Sequence, residues 1–61
     1  MKTKNFRKHL RSEGCYPIGG SKHEKWLNPQ NLKTCGISFG KGELSNKLVR
    51  TLCNQIRIAM P

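Results

Sequence analysis

Between Gly19 and Pro29 the chain reads GGSKHEKWLNP, with His23 set behind Lys22 and two residues ahead of Lys25. Those residue types suit one kind of chemistry. An imidazole gives and takes protons near neutral pH. Ammonium groups beside it hold a phosphodiester and stabilise the extra negative charge of its transition state. The Gly19-Gly20-Ser21 turn lets backbone approach a ligand closely and presents free N–H groups. His23 is therefore the candidate acid–base residue, and Gly20, Ser21, Lys22 and Lys25 are candidate phosphate contacts. Lys41, in the later loop Gly40-Lys41-Gly42, is another, with Lys47 and Arg50 more peripheral. The plain alternative is a basic strand with an exposed histidine and solubilising lysines. One histidine also leaves the second proton-transfer group unassigned.

A side chain at this site must be aimed by a strand. Strand alternation sends Lys22, Glu24, Trp26 and Asn28 to one face and His23, Lys25 and Leu27 to the other. With Trp26 anchored in a core, His23 and Lys25 share the open face and Glu24 points away from them. The strand is expected over Lys22 to Asn28, ended by Pro29. A first strand precedes it, Cys15 to Ile18, ended by the two glycines. A third, Leu32 to Phe39, alternates Cys35, Ile37 and Phe39 with Gly36 and Ser38.

Two helices flank these strands. The first runs from Thr3 to Glu13, with Thr3 as its cap, Phe6 and Leu10 on one face, and Gly14 just past its end. His9 reads as a solvated residue of that helix beside Phe6. The last runs from Ser45 to Ile56, with Ser45 as N-cap and a stripe of Leu48, Val49, Leu52, Cys53 and Ile56. The order is α-β-β-β-α. Each helix has one apolar stripe, so the expected α+β fold is a three-stranded antiparallel sheet with both helices on one face. The double-stranded RNA-binding domain has this architecture, though fold alone does not assign function.

With 61 residues there is room for a single domain and a small core. A chain of this size buries only ~60% of the surface its unfolded form exposes. Twelve Lys and Arg against three acidic residues give a formal charge of +9. A charge of this size points to a negative partner. No apolar run approaches the ~20 residues of a membrane span, and no signal-like apolar stretch follows the basic N-terminal segment. Phe6 and Leu10 are a thin face for an interfacial helix. The expected compartment is the cytoplasm, with no membrane association. Cys15, Cys35 and Cys53 form no C-x-x-C pair. A zinc site with His23 or His9 would need ligands in closer pairs. They read as reduced, buried thiols, and no metal or other cofactor is expected.

From Lys4 to Ile58 the chain resembles the HicA family of small toxins from type II toxin–antitoxin systems. The resemblance rests on Glu13-Gly14 closing a basic helix, on GGSKHEKWLNP as a Gly-Ser-His motif followed by an aromatic residue and Asn-Pro, and on GKGELSNKLVRTLCNQIRI as a Gly-Lys loop opening the last helix. It implies a fold like the double-stranded RNA-binding domain and an mRNA-cleaving endonuclease that needs no metal. It implies a single working histidine, which falls on His23, and neutralisation by a HicB-like antitoxin. The motif's glycine and serine fall on Gly20 and Ser21. Lys22 separates Ser21 from His23, which the family usually has adjacent. A one-residue shift flips strand faces, so Lys22 is either absorbed in the turn or accommodated as a bulge. Phe39-Gly40 also stands where many members carry Pro or His. Charge and fold alone fit a second function, an RNA-binding module without catalysis.

Overall fold

The computed structural model describes residues 1–61. Its elements are α1 (Thr3–Ser12), β1 (Tyr16–Gly19), β2 (His23–Asn28), β3 (Lys33–Ser38) and α2 (Asn46–Ile56). The strands form one antiparallel sheet in the order β1-β2-β3. This is the expected α-β-β-β-α arrangement.

Phe6 and Leu10, one turn apart on α1, are fully buried. Val49, Leu52, Cys53 and Ile56 form the buried stripe of α2. Both stripes meet Trp26 of β2 and Cys35 and Ile37 of β3 in one core cluster. The helices therefore cover the same sheet face. On the other face His23, Lys25, Thr34 and Ser38 are exposed, and Leu27 and Gly36 are half-buried. Leu44, in the loop before α2, completes the core from outside any element.

The caps explain where the helices stop and start. Gly14, at φ +86°, takes the left-handed conformation after α1. Its N–H donates to the Arg11 carbonyl at 3.0 Å, and Cys15 N–H donates to Leu10 at 2.9 Å. This is the paired closure of a glycine-ended helix. At α2, Leu48 N–H donates to Ser45 Oγ at 3.1 Å, as the sequence suggests. The cap of α1 differs. Lys2 holds that position and supplies no side-chain bond. Thr3 lies inside the helix, buried, and its hydroxyl donates to the Lys41 carbonyl at 2.7 Å. Thr3 N–H also donates to the Gly42 carbonyl at 3.1 Å. The competing acceptor is tertiary, so this threonine staples α1 to the loop after β3 instead of capping its own helix.

Five strand boundaries move, two of them by one residue at the end of β1, which reaches Gly19, and at the start of β3, which begins at Lys33. Cys15 belongs to the helix closure, so β1 starts at Tyr16. Lys22 lies in the turn, and β2 starts at His23. The irregularity in the β1–β2 pairing lies instead in β1, where the register skips between Pro17 and Gly19 and leaves Ile18 unpartnered. Phe39 does not extend the buried alternation of β3. The strand ends at Ser38, and Phe39 enters a turn with 55% of its surface exposed.

His9 is also more than a solvated residue. Its Nε2–H donates to the Ala59 carbonyl at 2.7 Å. With Ile58 packed on the core, this holds the segment after α2 against α1.

Candidate functional site

The turn between β1 and β2 is shaped by glycine. Gly20 sits at φ +133°, and a Cβ there would overlap the His23 carbonyl oxygen. Only a residue without a side chain lets the turn fold back onto the first residue of β2. Beyond the turn, Gly20, Ser21, Lys22, His23 and Lys25 line an open depression of about 290 Å³. Five of the eight residues singled out from the sequence therefore meet around one hollow on the helix-free side.

Register fixes the neighbours of the histidine. His23 pairs with Ser38 and Lys25 pairs with Gly36. A Cβ on Gly36 would come within 3.4 Å of the His23 Cβ, so the glycine leaves the imidazole's flank open. On the other side, Lys25 pairs with Gly19 of β1. The cross-sheet row Gly19–Lys25–Gly36 thus carries one side chain, the lysine.

Glu24 lies on the opposite face, as alternation requires. Arg7 Nε donates to its two carboxylate oxygens at 2.9 and 3.2 Å, and the Trp26 indole N–H donates to the first at 3.0 Å. The Arg11 guanidinium lies 5.1 Å from the Trp26 ring centroid. Burial pushes the Glu24 carboxyl up, but the bonds from Trp26 and Arg7 and the charges of Arg7 and Arg11 outweigh it and hold it below its ordinary value of 4.5. This network fixes β2 to α1 directly beneath His23.

The other candidates lie elsewhere. Lys41 is in the turn after β3, its N–H donating at 3.3 Å to the carbonyl of Ser38, the pairing partner of His23. Lys47 and Arg50 line a separate depression of about 440 Å³ with Asn46 and Met60.

No protein family matches the chain, and neither a curated protein nor a solved structure matches it.

The cysteines are free and buried. Burial, with smaller contributions from Cys15 and Cys53, pushes the Cys35 thiol up to about 11. Cys15 and Cys53 are raised as well, again chiefly by burial. Thiols held protonated in a core are poor nucleophiles and poor metal ligands. No three His, Cys, Asp or Glu side chains come together as a metal-binding group.

Sequence reading missed the glycines flanking Lys25 and the Arg7–Glu24–Trp26 network. Gly36 was visible as an inner position of a strand, where glycine often marks close approach of another backbone or a ligand. Its place opposite Lys25 depended on the strand register.

Proposed function

We propose that this chain is a metal-independent RNA endonuclease of the HicA type, acting on mRNA in the cytoplasm and inhibited by a HicB-like antitoxin. The observation that carries the reading is His23, exposed on the helix-free sheet face, in one depression with Gly20, Ser21, Lys22 and Lys25. In the step this arrangement suits, the ribose 2′ oxygen bonds to phosphorus as the P–O5′ bond breaks, and His23 either takes the 2′-OH proton or protonates the leaving O5′, with water exchanging the other proton. Lys22 and Lys25 offset the charge that grows on the phosphoryl oxygens. Ser21 and the Gly20 backbone approach the same phosphate, and Lys41, in the loop after β3, serves as a phosphate contact outside the depression. Lys47 and Arg50 serve RNA beyond the cleaved bond.

The test is cleavage of a labelled RNA in excess EDTA by the wild type and by His23→Ala, with circular dichroism on both. The wild type should cut and the folded variant should lose at least 100-fold in rate, the lower range for a general acid–base group (about 10²–10⁴). A folded variant that cuts at the wild-type rate removes His23 from the chemistry.

A second reading, an RNA-binding module without catalysis, is favoured by Glu24. Its carboxylate is engaged by Arg7 and Trp26 on the far face and does not orient the imidazole. That reading expects salt-dependent binding and no product. A HicB-like partner would block RNA by covering the open face. Cleavage that continues at full rate in a saturated complex would contradict occlusion.

A further inference from the structure

We propose that the open sheet face selects unpaired RNA, with Tyr16 and Phe39 as base-stacking platforms at the two ends of the His23–Lys25 stretch. The inference rests on the reading of the chain as RNA-binding and adds the form of RNA and the residues that select it.

The chain has two Phe, one Trp and one Tyr. Phe6 and Trp26 are buried at 0% and 1% exposure, whereas Tyr16 and Phe39 remain 47% and 55% exposed. A core this small forgoes the burial of half its aromatic rings. Their positions are not scattered. Tyr16 pairs with Leu27, near one end of β2. His23, at the other end, pairs with Ser38, and Phe39 follows directly. Leu27 lies four positions beyond His23, about 13 Å of strand.

Between the backbone positions of Tyr16 and Phe39 runs the row Gly19–Lys25–Gly36. Its glycines leave a low trough across the sheet with a cation at its centre. A sugar–phosphate backbone fits such a trough, its phosphate reached by Lys25 and His23. The adjoining bases then fall towards the aromatic rings. The sheet-facing environment favours an anion, because Glu24 faces the helices and the chain carries +9.

Duplex RNA cannot use these platforms. Its base faces are hidden in the stack, and proteins contact it through 2′-OH and phosphate groups. Unpaired bases stack on aromatic side chains with little regard to sequence.

The experiment measures binding, not cleavage. His23→Ala protein is titrated with a short labelled oligoribonucleotide, single-stranded or annealed to its complement. The same titrations follow with Tyr16→Ala, Tyr16→Phe or Phe39→Ala added. The single strand should bind about tenfold more tightly than the duplex. Either alanine should weaken single-strand binding about tenfold and leave duplex binding unchanged, while Tyr16→Phe retains affinity. Equal affinity for both forms, or equal losses on both, would overturn the proposal. Neither RNA binding, with self-association seen by sedimentation and abolished by Tyr16→Ala, would also overturn it and assign the face to a second copy of the chain. Because no cleavage is read, an inactive His23 leaves this test intact.

Discussion

At φ +133°, with its hydrogen pressed against the His23 carbonyl, Gly20 couples the shape of a turn to the position of an imidazole. Gly20→Ala must push the turn away from β2. It should cost about 2 kcal/mol of stability, read by urea denaturation, and should lower cleavage beyond the fraction unfolded. An unchanged urea midpoint would mean that the turn has another conformation open to it. Glu24 acts at the same scale through charge. Its folded pKa is depressed, so its contribution is present above the ordinary value of 4.5 and is lost as pH falls through the folded value. Glu24→Gln should therefore be less stable than wild type by about 1 kcal/mol at pH 7. The two proteins should converge in acid below the folded pKa of Glu24. Parallel stability curves across that range would show that the carboxylate's charge contributes nothing.

Elements show which local signals survive tertiary competition. Gly14 and Ser45 act as their sequence positions suggest, because each bonds backbone within its own helix end. Thr3 does not, because the Lys41 carbonyl in the loop after β3 competes for its hydroxyl. The far end of α2 holds an unexpected conformation. Arg57 adopts φ +61° and is exposed, while Ile58 N–H reaches back to the Cys53 carbonyl at 3.1 Å. A side chain pays steric cost in that region and glycine does not. Arg57→Gly should stabilise the fold by about 1 kcal/mol, raising Tm by about 4–8 °C, as calorimetry would report. A fall in Tm would show that the arginine side chain stabilises more than its backbone strains. The same helix end is tied to the sheet by Asn28, whose Nδ2 donates to the Ile56 carbonyl at 3.1 Å from a buried position.

For the molecule as a whole, a core of eleven apolar residues holds the fold, and three of them are cysteines. Their raised pKa values keep the thiols protonated at neutral pH, and burial keeps reagents out. Labelling by iodoacetamide at pH 7.5 should be slow until the chain unfolds, with the rise in labelling matching the loss of circular dichroism. Rapid labelling of Cys35 in the folded protein would contradict its place in the core. No helix is long and apolar enough to cross a membrane. The positive charge is left to the surface, and the helix-free side of the sheet gathers Lys25 beside His23.

The order of elements, the helix stripes and the face shared by His23 and Lys25 were legible in the sequence. Periods of 3.6 and 2 are local properties, and each apolar stripe needs only a partner of any kind. What required the tertiary structure was every choice between competing partners. Lys22 enters the turn because Gly20 folds back onto His23. Phe39 leaves the core because β3 stops at Ser38. Glu24, already facing away from His23 by alternation, finds Arg7 and Trp26 as its partners only once α1 packs on the sheet. Lys25 is flanked by two glycines only because the register, set by turns and a bulge, aligns three strands. Such pairings join residues distant in sequence, and no local pattern carries their register.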